Sequence, residues 1–189
     1  SDSLTSVEAG IRLGNPGTSR VSLNAALSYA WWSDIQADLI DERGLPYTTN
    51  LGDGGISGIE VEASWQVTSR LRLDAAAFLN GSSLTDPAPP FAAAEETDLP
   101  NIAAAGGRIG ASFRANLSDR AALSVDGSIS YVGSSQLGIG APLDVTQGDF
   151  FDSQVGARVD LGELGISVDI DNLLDVGGRL FGLGSDAAL

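Results

Sequence analysis

The sequence predicts an all-β chain, about eight strands of an antiparallel transmembrane β-barrel, and three observations carry that expectation. Apolar residues alternate with small or polar ones along most of the 189 residues. The connections between these runs are short and long by turns. Tyr29, Trp31, Trp65, Tyr131 and Phe151 fall near the ends of the runs.

The strands are read by their apolar faces. The first carries Val7, Ala9, Ile11 and Leu13, and the second Val21, Leu23, Ala25, Leu27, Tyr29 and Trp31. Ile59, Val61, Ala63, Trp65 and Val67 mark the third, and Leu71, Leu73, Ala75, Ala77 and Leu79 the fourth. The fifth and sixth follow with Ile109, Ala111, Phe113, Ala115, Leu117 and with Leu123, Val125, Gly127, Ile129, Tyr131. Phe151, Val155, Ala157, Val159 and Leu161 form the seventh, and Leu164, Ile166, Val168 and Ile170 the eighth. The other face carries Glu60, Glu62, Arg72, Asp74, Arg108, Arg114, Asp126, Arg158 and Asp160, which a barrel would turn to its lumen. Cross-strand pairing of these arginines with the carboxylates is the expected arrangement.

A soluble sandwich alternates too, with its apolar face inward, so the strand pattern alone leaves both open. Connections separate them. "NPGTS", "TSR", "SDR" and "GE" are tight, while "DERGLPYTTNLGDGGISG", "GSSLTDPAPPFAAAEETDLPNIAAAGG" and "GSSQLGIGAPLDVTQGD" are long. Short turns at one end and long loops at the other are the habit of outer-membrane barrels, and a sandwich has no reason for it. Height gives an independent check. A strand tilted about 45° climbs roughly 2.4 Å per residue, so about 10 residues cross the apolar band of about 25 Å. Tyr29, Trp31, Tyr131 and Phe151 then fall at an upper aromatic girdle and Trp65 at a lower one.

Composition narrows the function. No cysteine is present, so there is no disulfide framework and no thiolate metal site. Without histidine the usual general base and the commonest metal ligand are missing, and no enzymatic activity, cofactor or resident metal is expected. A net charge of −15 opposes a nucleic-acid partner. No apolar run reaches the roughly 20 residues that a membrane helix needs.

"WWSDIQ", "GIEVEASWQV", "DLPNIA" and "DNLLD" resemble, in this order, elements of the C-terminal barrel of TonB-dependent outer-membrane receptors. That resemblance implies a partial barrel domain over residues 1–189, belonging to a barrel of about 22 strands around a plug. It also implies active import of a scarce nutrient such as an iron–siderophore complex, in the outer membrane of a Gram-negative cell. The implied partners are outer-membrane lipid, a small-molecule ligand such as an iron chelate, the receptor's own plug, and the TonB energy-coupling complex. Plug, TonB box and final strand have no counterpart here, so gating and coupling belong to residues outside this chain. With short turns periplasmic, both ends of the chain fall outside the cell, which implies a strand before Ser1 and another after Leu189. "GGRLFGLGSDAAL" reads as the start of a further outer loop.

Asp34, Gln36 and Asp38 continue the polar face of the second strand above the girdle, and Trp32 points to the same side. With Tyr47, Asn50, Asp53 and Phe91 on the long loops they form the candidate ligand vestibule. "DIDNLLD" (169–175) has Leu174 where a calcium loop needs glycine, so it reads as a strand end. The alternatives are a small passive barrel or porin, and a soluble acidic β-sandwich that binds a partner.

Overall fold

The computed structural model describes residues 1–41, 43–92, 97–139 and 145–175. Eight long strands follow one another in a single antiparallel sheet. They are β1 (Ser3–Leu13), β2 (Val21–Ile40), β3 (Pro46–Gln66), β4 (Leu71–Pro87), β5 (Ala105–Ser118), β6 (Ala121–Val132), β9 (Phe150–Leu161) and β10 (Leu164–Asp171). Between β6 and β9 the short β7 (Ser135–Gln136) and β8 (Thr146–Gln147) pair with each other. Sheet order is β1-β2-β3-β4-β5-β6-β9-β10, so every long strand pairs with its neighbours in sequence, and among the described residues β1 and β10 are the edges. This is the meander of a barrel wall.

The register places the expected faces together. Val7, Tyr29 and Ser57 line up across β1, β2 and β3, as do Ile11, Ala25 and Val61. Val21 stands opposite Trp65, which in turn stands opposite Leu73. This apolar face is exposed: Val61 is 37%, Leu79 57% and Ile109 70% accessible. A soluble sandwich would bury it, and the structure leaves it as a band for lipid. Tyr29 and Trp31 meet edge-on with ring centroids 4.6 Å apart. Tyr131 and Phe151 lie 4.8 Å apart at the same end of the sheet, and Trp65 lies at the opposite end, beside the short turn after β3.

The four short turns are where the sequence puts them. At the first, the Asn15 amide donates to Ser19 Oγ at 2.9 Å and Thr18 N–H donates to the Asn15 carbonyl at 3.2 Å. Gly162 takes a φ of 65° in the last, a conformation that glycine adopts without the Cβ penalty.

One long connection differs from its expectation. Most of "DERGLPYTTNLGDGGISG" is strand, because β2 and β3 run on as a paired hairpin past the girdle. The turn at its tip is held by Asp41, whose Oδ1 accepts from the amides of Arg43 and Leu45 at 2.9 and 2.8 Å. Glycine and proline lower β propensity in that stretch, and pairing to β2, joined from Gly52 onward by pairing to β4, makes it strand. β4 likewise continues to Pro87, ending at the 3₁₀ turn Pro89–Phe91. "DIDNLLD" is a strand end followed by a turn, with the Leu173 and Leu174 amides donating to Ser153. "GGRLFGLGSDAAL" lies outside the described residues.

The exposed band yields a test. Val61→Arg, near mid-height on the lipid face, is expected to cost about 2–4 kcal/mol in folding into bilayers, measured by reversible denaturant titration. Ala26→Arg, on the other face and opposite Glu60, is expected to cost less than about 1 kcal/mol.

Candidate functional site

On the face opposite the lipid band the polar residues form a shallow trough of about 390 Å³, lined by Arg12, Asn24, Glu62, Arg72, Arg108 and Asp126 among others. Ser22 and Ser64 stand opposite each other in its floor with hydroxyls 2.6 Å apart, both buried. The ion pairs of this wall depart from the expected cross-strand ladder. Arg72 bonds Asp74 two residues along its own strand, at 2.8 Å, and Arg158 bonds Asp160 in the same way at 2.7 Å. Register explains the difference. The positions directly across from the arginines hold small or neutral side chains: Gln66 and Ser112 flank Arg72, Ser124 faces both Arg114 and Arg158, and Ala76 faces Arg108. Arg108 instead donates from Nη2 to Ser128 Oγ at 3.0 Å. Glu60 stands between Ala26 and Phe78, and Glu62 between Asn24 and Ala76. The carboxylates of Asp126 and Asp169 converge on Gly156, which lies between them in the register.

Above the upper girdle the wall changes character. Trp32 pairs with Gly54, but the next paired residue of β2 is Ile35, opposite Gly52. This bulge brings Ile35, Ala37 and Leu39 onto the face that Trp32 occupies, and sends Gln36 and Asp38 to the other. Asp34 sits in the bulge at a φ of 55°. Its amide donates to Asp53 Oδ1 at 2.8 Å, and its own Oδ1 accepts from Asn50 Nδ2 at 3.0 Å. Asn50 Oδ1 accepts from the Gly52 amide at 2.6 Å. Gly52 has a φ of 107°, and a Cβ there would lie 2.1 Å from the Asp86 carbonyl oxygen.

The reversal has a solvent cause. Below the girdle, lipid lies outside the wall and apolar residues face outward. Beyond it the outside is water, so the dry side is the inner one, where the connections after β4 and β6 fold back. Ile35, Leu39, Leu51, Leu84, Leu99 and Ile139 are all buried in one cluster there. Trp32, Ile56, Phe91, Ile102 and Leu137 pack around it.

The vestibule set is therefore divided. Asp34, Asn50 and Asp53 hold the bulge, with Gln36 Nε2 donating to the Asp34 carbonyl at 3.4 Å. Asp38 accepts from Thr48 Oγ1 at 2.5 Å on the outward face. The expectation that Gln36 and Asp38 continue the inner polar face is corrected by the bulge, which two-residue periodicity cannot register. Phe91 packs on the inner cluster, and Tyr47, opposite Leu39 and 45% exposed, stands on the inner face near the hairpin tip. Sequence reading missed Ile35, Leu39, Leu51, Leu84, Leu99 and Ile139. The adjacent inversion signal was "DGG" in β3, glycines that let the partner strand follow the bulge.

No family model matches the chain, and no curated protein matches its sequence. Solved structures do match. The ferric yersiniabactin uptake receptor FyuA from Yersinia pestis superposes with a TM-score of 0.75 at 20% identity, over 98% of this chain and 27% of that one. The copper transporter OprC superposes with a TM-score of 0.72 at 18% identity, over 98% of this chain and 28% of that one. The fold is that of a stretch of β-barrel wall in these two structures. The chain spans under a third of the length of either structure.

The wall's half-exposed ion pairs stabilise it little. Arg72→Gln is expected to cost under about 1 kcal/mol, with the difference shrinking as salt is raised in denaturant titrations. Gly52→Ala is expected to cost more than about 2 kcal/mol in the same assay, because the added Cβ meets backbone at a positive φ.

Proposed function

We propose that this chain forms part of the outer-membrane barrel of a TonB-dependent receptor that actively imports a scarce nutrient, an iron chelate or another metal complex. The open meander is the observation that carries this reading. Eight strands lie in sequence order with an outward apolar band and an inward charged face, yet among the described residues β1 and β10 remain edges. A bilayer tolerates no unpaired strand edge, so in this reading both edges find strand partners within a wider barrel. A small passive barrel of eight strands would pair its first strand with its last. The motifs "WWSDIQ", "GIEVEASWQV", "DLPNIA" and "DNLLD" support the same family, as does likeness in fold to an iron-chelate receptor and a copper transporter.

In this reading lipid surrounds the band, a plug faces Glu62, Arg72, Arg108 and Asp126, and energy coupling through TonB resides in residues outside the chain. The ligand meets the inner face of the outer end, where Tyr47 and Phe91 are the candidate contacts. The test is uptake of radiolabelled ferric siderophores and copper by cells carrying the full-length protein. Uptake that stops when the proton-motive force is collapsed supports the reading. Energy-independent permeation with a steady open-channel conductance would favour a porin. Tyr47→Ala is expected to weaken ligand binding about tenfold, or ~1.4 kcal/mol, by titration, whereas Asp38→Ala leaves it unchanged.

A further inference from the structure

Long connections at the mouth of a barrel invite a reading as lids that close over cargo. The contacts here point elsewhere. We infer that residues 97–102, 135–139 and 145–147, together with the ends of β2 and β3 beyond the girdle, form a fixed cap on the inner face, pinned by the Asp34 bulge.

Two kinds of contact argue for a single rigid body. The first is apolar. Ile35, Leu39 and Leu51 from the β2–β3 hairpin, Leu84 from β4, Leu99 from the connection after β4 and Ile139 from the connection after β6 are each under a tenth exposed. Four separate stretches of chain thus share one dry cluster, and none of them can leave without exposing it. The second is the hydrogen bonding that ties the two connections to the wall and to each other. Leu84 N–H donates to the Thr97 carbonyl at 2.8 Å, and Leu99 N–H donates to Ser82 Oγ at 3.2 Å, so residues 97–99 run along β4. Asn101 N–H donates to the Gln136 carbonyl at 2.7 Å, and Gln147 Nε2 donates to Asn101 Oδ1 at 2.5 Å. The second connection is therefore fastened to the first, and the first to the wall.

Asp34 is the pin because the bulge it occupies sets the phase of β2 above it. Its positive φ, and the bonds from its amide to Asp53 and from Asn50 to its carboxylate, fix the bulge. The bulge turns Ile35 and Leu39 inward. Without it the periodicity of β2 would place Gln36 and Asp38 in the cluster and Ile35 and Leu39 in water. Asp34 is thus a positioning residue, acting on the cap through the strand it re-aims.

The proposal rests on the barrel reading only for calling this end the mouth. Its test is amide hydrogen exchange by mass spectrometry on the intact protein in lipid nanodiscs. Peptides covering 97–104 and 132–139 are expected to exchange within about tenfold of peptides from the middle of β6, as amides in one cooperative unit do. Asp34→Ala is expected to speed exchange in both peptides by more than about tenfold while leaving 105–118 unchanged. Asp34→Asn keeps a side-chain oxygen for Asn50 and tolerates the positive φ, so it is expected to restore the slow exchange. Near free-chain exchange of either cap peptide in the unmodified protein would overturn the proposal. So would an Asp34→Ala protein whose cap exchanges as slowly as before. Because exchange is read without any ligand, a failed uptake assay and a failed exchange test are separate outcomes.

Discussion

The backbone ladder between neighbouring strands is the interaction on which the rest of this structure depends. Inside a bilayer no water satisfies a peptide group, and leaving one unpaired costs several kcal/mol. Each strand must therefore bond along its whole membrane-spanning length to both neighbours. Sequence-order pairing of the long strands from β1 to β10 meets that demand. Side chains are then free to serve the two surroundings, lipid on one face and the polar lumen on the other. This explains why alanine, serine and glycine suffice for so much of the wall. Cohesion comes from the ladder, and the side chains need only match their solvent.

Where the surroundings change, the side-chain logic changes with them. Below the girdle large apolar residues such as Ile109 and Leu79 lie exposed to what would be lipid. Above it comparable residues are hidden, Leu51 completely. Burial of a leucine or isoleucine is worth about 1.5–3 kcal/mol, against about 1 kcal/mol for a typical hydrogen bond. The outer end is therefore held chiefly by its apolar cluster, with the network around Asp34 deciding which residues enter it. The polar wall of the lumen is held by neither. Its half-exposed pairs, Arg72 with Asp74 and Arg158 with Asp160, each lie along a single strand and add little to its stability.

Much of this was legible in the sequence, and the exceptions share a cause. Period-two alternation found all eight long strands, their faces and the four tight turns, because within the bilayer a strand's environment is uniform along its length. Tyr29, Trp31, Tyr131 and Phe151 fall at one end of the sheet and Trp65 at the other, as that alternation places them. The hairpin beyond the girdle was not. Its β3 half is rich in glycine, and its strand character comes from pairing rather than from propensity. The facing of Gln36 and Asp38 was hidden as well, since one bulge inverts every residue after it and nothing in "WWSDIQADL" marks the slip except an aspartate able to take a positive φ. The arginines were placed on the right face but assigned the wrong partners. Face follows from parity, whereas partners follow from register, and register is set by neighbours that a single strand does not display.

The bulge at Asp34 also separates two parts of the chain that answer to different pressures. A length change confined to the tip around Asp41 lies beyond Leu39, the last cluster residue of β2, and leaves the register at Tyr29 and Trp31 unchanged. The tip can accordingly be remodelled, by selection or by an engineer, while the cluster beneath it and the wall stay as they are.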